Sequence, residues 1–238
     1  MVAAGVVAAG GDRGAAAFGL FFADNSLTYY TVQSNLIALA YFGWAIWRML
    51  GNRTVMSPAP RLRGAVVYWL AITGLVAHIL LNNGANPLPP LVGDGDLVFE
   101  WCIFCLHYVV PVLALVDWLV VRPHRVVPWS TLPLWLLFPL GYGLFAEFRA
   151  FVYPAYPVPY PYFFLDPTEN GYGWVALQFG ILALEFAVLA VIVLGLDRIT
   201  HKKRVRPGAD NRSHGRQVRR AAPATASWSR RARWIGSM

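Results

Sequence analysis

The chain has 238 residues, of which 57% are hydrophobic and 13% charged, and it carries a net charge of +8. About a quarter of the residues are charged in an ordinary soluble domain, so this composition argues against a soluble protein. A helix that crosses a membrane needs about 20 mainly apolar residues, which leaves room for about six such helices. The positive charge lies in connections and in the tail, so we expect anionic lipid headgroups, and not nucleic acid, as partners.

Six apolar segments are predicted in chain order. The first, residues 2–22, is weak because Asp12, Arg13 and several glycines interrupt it. The remaining five are residues 31–50, 64–81, 97–121, 132–151 and 174–196. Their continuous apolarity favours helices over barrel strands, which alternate polar and apolar residues. We therefore expect an all-α, polytopic transmembrane bundle over residues 1–196, followed by a basic, disordered tail over residues 197–238.

The charged residues alternate along the connections between these segments. The connection between segments 31–50 and 64–81 is basic, with Arg48, Arg53, Arg61 and Arg63 in or beside it. The next connection, residues 82–96, has no Lys or Arg. The pattern repeats with Arg122 and Arg125, then with the acidic connection 152–173, and ends in a tail with twelve Lys or Arg. Loops rich in Lys and Arg stay in the cytoplasm. This predicts a multi-pass protein of the cell membrane with six spans and with both termini cytoplasmic.

Polar side chains inside the predicted spans are the candidate functional residues, because such groups are costly in hydrocarbon and need a partner, a cavity or a function. Topology places nearly all of them in the outer half of the membrane. They are Thr31, Ser34, Asn35, His78, Glu100, His107, Glu147 and Arg149, with Asp166 in the outer connection. A cavity that opens outward is the simplest interpretation, with a lipid or a small molecule as its ligand.

Structural roles are the alternative for several of these residues. Ser34 and Asn35 can join helices by hydrogen bonds, and Thr31 can cap its helix. A deeply placed His107 must be hydrogen-bonded and can exchange protons near neutral pH, so structural and functional roles remain equally open. The Pro- and Tyr-rich connection from Tyr153 to Gly173 is either a lid over the cavity or an interfacial anchor. The sequence holds no P-loop, H-E-x-x-H or G-x-S-x-G pattern, so we expect neither a cofactor nor a metal.

Three motifs together resemble the bacterial six-pass integral membrane proteins called the Pr6Pr family. They are Tyr30-Thr31-Val-Gln-Ser34-Asn35-Leu, Leu106-His107-Tyr-Val-Val-Pro111 with Asp117-Trp118, and Tyr160-Pro-Tyr-Phe-Phe-Leu-Asp166-Pro with Gly171-Tyr-Gly173. The resemblance covers about residues 14–200. That family is distantly similar to the androgen-induced membrane proteins of animals, which hydrolyse fatty acid esters of hydroxy fatty acids.

The resemblance implies an intramembrane lipid-ester hydrolase in which Thr31 is the nucleophile and His107 the base. A Thr hydroxyl is a weak nucleophile and needs a base within hydrogen-bond reach. Glu100, seven residues before His107 on the same face, could orient it. The alternative function is a non-enzymatic carrier or binding protein for a small solute or lipid. Hydrogen-bond distance between Thr31 and His107 favours the hydrolase, and a wide separation favours the carrier.

Overall fold

The fold is a bundle of antiparallel helices. A computed structural model describes residues 26–91, 97–154 and 159–200. Within this part the helices are α1 (Tyr30–Gly51), α2 (Pro60–Val76, continued by a π-helical turn Ala77–Leu81), α3 (Leu97–Phe104, a π-helical turn Cys105–Val109, then Val110–Val120), α4 (Leu132–Val152) and α5 (Gly171–Thr200). These ranges contain no β-strand, which confirms the all-α prediction.

Four of these helices are long and apolar enough to cross a membrane: Pro60–Leu81, Leu97–Val120, Trp129–Val152 and Gly171–Arg198. Helix α1 was also predicted as a span and has 22 residues. It is not one of the four, because polar residues such as Gln33, Ser34 and Asn35 dilute its apolar character. The predicted first span, residues 2–22, lies outside the described residues.

Helix α2 is the centre of the bundle and packs against the other four helices. Val66, Val67, Tyr68 and Leu70 are fully buried along it. The Tyr68 hydroxyl donates a hydrogen bond of 3.0 Å to the Phe186 carbonyl of α5. A central helix of this kind fixes the relative depth of its neighbours, which positions side chains from α1 and α3 against each other.

The end of the bundle that holds Arg63 contains an ion pair that the charge pattern does not reveal. Arg63 was predicted in a basic connection, but it is a fully buried residue of α2. Its Nε atom lies 2.8 Å from Oδ2 of Asp117, and its Nη1 donates to the Val121 carbonyl at 2.7 Å. The guanidinium also lies 5.2 Å from the Trp118 ring. Arg63 therefore joins α2 to α3.

The last helix extends past the predicted start of the tail. Residues 197–200 were assigned to a disordered segment, yet α5 is helical to Thr200 and Asp197 is buried. One oxygen of Asp197 lies 2.9 Å from Nδ1 of His124, and the other accepts the backbone N–H of Arg125 at 2.6 Å. These two contacts hold the buried Asp197 carboxylate against the connection that follows α3. The tail from residue 201 onward lies outside the described residues.

Candidate functional site

Thr31 and His107 meet at the opposite end of the bundle from Arg63. Thr31 is in the first turn of α1 and is buried, with 7% of its surface exposed. Its Oγ1 atom lies 3.0 Å from Nε2 of His107 in α3. The two residues are 76 positions apart in the chain, so this contact depends on the packing of α1 and α3. It places a hydroxyl and an imidazole at the distance that nucleophilic catalysis requires.

The second ring nitrogen of His107 fixes which tautomer is present. Nδ1 lies 2.8 Å from the Ile103 carbonyl oxygen. A carbonyl can only accept, so Nδ1 carries the proton, and in a neutral ring Nε2 is then an acceptor. Thr31 therefore donates its hydroxyl proton toward Nε2. The group that orients His107 is a backbone carbonyl of its own helix, and not Glu100.

A local distortion of α3 presents His107 to Thr31. The turn Cys105–Val109 is π-helical, and Pro111 is the second residue after it. Proline lacks an N–H and its ring clashes with the carbonyl four residues earlier, which here is the carbonyl of His107. A widened turn relieves that clash, and such turns frequently occur at functional sites. The spacing from His107 to Pro111 is the sequence signal for this distortion.

Asn35 joins the turn that carries Thr31 to the turn that carries His107. Its Nδ2 donates to the Thr31 carbonyl at 2.8 Å and to the Leu106 carbonyl at 3.3 Å. Ser34 is buried and hydrogen-bonded to Oγ1 of Thr73 in α2 at 2.8 Å. Both side chains form hydrogen bonds between helices, which is the structural role that the sequence also allows for them. Asn35 does so at the Thr31–His107 contact itself.

Tyr162 lies next to Thr31 and contributes to its burial. It lies in the Pro- and Tyr-rich connection, is buried, and packs its ring 6.1 Å from that of Tyr29 and 6.2 Å from that of Tyr142. Burial raises the pKa of the Tyr162 phenol, and the neighbouring side chain of Thr31 and backbone of Thr31 and Tyr30 partly offset that rise. The described part of the connection thus covers the site, and this explains how a residue at the start of α1 comes to be buried.

Two depressions meet at His107. The first, which we call the cavity, has a volume of about 50 Å³ and is lined mainly by apolar side chains. Its lining includes Tyr30, Thr31, Ile72, Leu140, Tyr162, Phe164, Phe179 and Phe186, together with His107. Gly143 allows the Phe179 ring to approach, since a Cβ there would lie 2.5 Å from it.

The second depression, which we call the groove, is wider and more polar, with a volume of about 390 Å³. Its lining includes Asn82, Asn86, Phe99, Glu100, Phe104, Tyr108 and again His107. Ala77 and Leu81 also border both depressions. The Thr31–His107 contact therefore lies where a small apolar cavity and a wider, partly polar groove adjoin.

Glu100 and His78 lie near the groove and are not in the contact itself. Glu100 is exposed and borders the groove about two helical turns from His107. His78 is half-buried, its ring packs edge-on at 6.1 Å from that of Tyr108, and its Nδ1 is buried without a hydrogen-bond partner among the described residues. The sequence predicts both residues beside a cavity. Glu100 lines the groove, and His78 packs against Tyr108, which also lines it.

Glu147, Arg149 and Asp166 lie elsewhere on the same end of the bundle. Arg149 donates a hydrogen bond of 3.2 Å to the Pro159 carbonyl. Asp166 accepts hydrogen bonds from the backbone and the hydroxyl of Thr168 at 2.9 and 2.6 Å, which forms the turn before α5. Glu147 is half-buried, and one of its carboxylate oxygens has no hydrogen-bond partner among the described residues. None of these three residues lines the cavity or the groove.

The described residues contain no group of three or more His, Cys, Asp or Glu side chains that could hold a metal ion. Comparisons with protein-family models, with curated proteins and with solved structures found no match to this chain. The candidate site is therefore characterised by its own geometry. Sequence analysis missed Tyr162, although the aromatic connection that holds it was recognised.

Proposed function

We propose that the chain is a six-span protein of the cell membrane, with cytoplasmic termini, that hydrolyses lipid esters through Thr31 and His107. The observation that carries the proposal is the 3.0 Å contact between Thr31 Oγ1 and His107 Nε2. The Nδ1–H···O=C bond to Ile103 supports it, because it leaves Nε2 free to act as a base. The resemblance to the Pr6Pr proteins points to the same two residues.

The chemistry requires two steps. In the first, Thr31 Oγ1 attacks the ester carbonyl carbon while His107 Nε2 takes the hydroxyl proton, and the alcohol leaves with that proton. In the second, His107 takes a proton from water, whose oxygen attacks the acyl-Thr31 ester. Thr31 regains its proton and the carboxylic acid is released.

The start of α1 can stabilise the negative charge that develops on the carbonyl oxygen. The first N–H groups of a helix have no partner within the helix, and Tyr29, the residue before α1, makes no side-chain cap. Backbone N–H groups near Thr31 can thus donate to an oxyanion, and one such donor contributes about 100- to 1,000-fold in other enzymes. The Tyr162 phenol lies close to the same backbone, so a substrate oxygen that uses these N–H groups would take its place.

The test is hydrolysis of 4-nitrophenyl decanoate by the purified protein in detergent. Thr31→Ala should reduce hydrolysis to the rate without protein, and Thr31→Ser should retain part of the activity because it keeps a hydroxyl. Thermal unfolding of each variant serves as the control for folding. Full hydrolysis by Thr31→Ala would contradict the proposal.

The carrier alternative predicts a wide separation between Thr31 and His107, so the short contact favours the hydrolase. A carrier would bind its ligand at the groove with no turnover. Release of 4-nitrophenol that depends on Thr31 therefore distinguishes the two functions.

A further inference from the structure

We propose that the groove selects esters whose alcohol portion carries a positively charged group close to the ester and disfavours esters with an anionic group at that position. This inference rests on the proposed function, because it names the substrate class of the same site. It concerns the groove on one side of His107, which holds Glu100, and not the small apolar cavity on the other side.

The first reason is the charge of the groove. Glu100 is the one acidic residue among the described residues that line the groove, and none of these is Lys or Arg. The connection 82–96 beside it has no Lys or Arg either. An anionic headgroup in the groove would face Glu100 with no cation to offset the repulsion, whereas a cationic headgroup would be attracted.

The second reason is the aromatic lining. Phe99, Phe104 and Tyr108 border the groove together with Glu100. The Phe104 and Tyr108 rings stack with centroids 5.5 Å apart. Aromatic faces beside a carboxylate are the surroundings in which proteins bind ammonium and quaternary ammonium groups.

The third reason is the position of Glu100 relative to the reacting atoms. Glu100 and His107 are seven residues apart on α3, which corresponds to about 10 Å along a helix. The charge of a headgroup joined by a short linker to an ester at His107 then lies in the groove between the two residues, where the carboxylate attracts it through space.

The experiment compares three esters that share one acyl chain. Decanoylcholine carries a cationic headgroup, 3,3-dimethylbutyl decanoate has nearly the same shape without charge, and 4-(decanoyloxy)butanoate is anionic. For the wild-type protein we expect kcat/KM for the choline ester to exceed that for the neutral ester by about 5- to 10-fold. The anionic ester should be the poorest substrate of the three.

Glu100→Gln should bring the ratio of choline ester to neutral ester close to one, and Glu100→Lys should make the anionic ester the best substrate. Glu169→Gln removes an exposed carboxylate from a different connection and outside the groove, so it should keep the wild-type ratio. Glu100 is exposed near the start of α3, which favours normal folding of its variants.

Two results would overturn the inference. Equal hydrolysis of all three esters by the wild-type protein would show that the groove does not discriminate between headgroup charges. The proposed hydrolase activity would not be contradicted by that result. An unchanged ratio of choline ester to neutral ester in Glu100→Gln would show that Glu100 does not select the charge of the headgroup. If no ester is hydrolysed faster than by Thr31→Ala, both the hydrolase and the inference fail.

Discussion

At the scale of single residues, the proposed activity depends on one hydrogen bond between Thr31 and His107. The position of each residue in its helix could be predicted from the sequence, and so could their pairing, through the resemblance to known motifs. Their distance could not be predicted, because it depends on how deep α1 begins. Thr31 is buried next to Tyr162, and this contact joins parts of the chain that are distant in sequence.

His107→Gln tests the role of the imidazole as a base. Glutamine can keep a hydrogen bond with Thr31 but cannot accept its proton near neutral pH. A general base contributes about 100- to 10,000-fold, so we expect hydrolysis of 4-nitrophenyl decanoate to fall by at least about 100-fold. His124→Gln is a histidine control far from Thr31. Because His124 contacts the buried Asp197, its Tm is measured as well, and a comparable loss of activity at an unchanged Tm would contradict a specific role for His107.

At the scale of elements, the contact between α1 and α3 is fixed by Asn35. Asn35→Leu removes the two hydrogen bonds to the Thr31 and Leu106 carbonyls while keeping a side chain that branches at Cγ. We expect kcat to fall by about tenfold or more with little change in KM, since a small displacement of reacting groups lowers the rate more than binding.

Gln33→Leu provides the matched control for Asn35. Gln33 is an amide of the same helix, and its Nε2 donates to the Leu27 carbonyl at 2.9 Å, away from His107. It should keep the wild-type kcat. Equal effects of the two substitutions would mean that Asn35 only stabilises α1 and does not position Thr31.

Arg63 and Asp117 fix α2 to α3 at the other end. Asp117→Ala leaves the guanidinium of Arg63 buried without its carboxylate, and loss of one partner of a buried pair costs about 3–5 kcal/mol. We therefore expect a clear decrease in Tm in detergent. Glu185→Ala, which removes an exposed carboxylate of α5, should leave Tm nearly unchanged. A double variant, Arg63→Met with Asp117→Leu, should recover part of the loss.

The helices themselves could be predicted well, because apolar runs of the length of a membrane span are visible in any sequence. The predicted segments 31–50, 64–81 and 132–151 differ from the observed helices by only a few residues at each end. The burial of Arg63 and Asp197 could not be predicted. The sequence around a charged residue at the end of a span does not show whether its side chain faces water or a partner in another helix. Contacts between helices decide which of the two applies.

At the scale of the whole molecule, the alternating charges predict which connections face the cytoplasm. Cysteine accessibility tests this in intact cells, after replacement of Cys102 and Cys105, which are free and exposed. Glu169→Cys should react with a membrane-impermeant maleimide, and Val55→Cys should react only after permeabilisation. Both positions are exposed and lie in connections at opposite ends of the bundle. The reverse pattern would mean that the orientation is inverted.

The central claim is that Thr31 is the nucleophile, and its covalent capture tests this most directly. The purified protein is treated with a decyl fluorophosphonate, digested, and analysed by mass spectrometry to locate the adduct. We predict a single phosphonate adduct on Thr31, which Thr31→Ala abolishes and His107→Gln strongly slows. An adduct that forms at the wild-type rate in Thr31→Ala, or that lies on another residue, would contradict the claim.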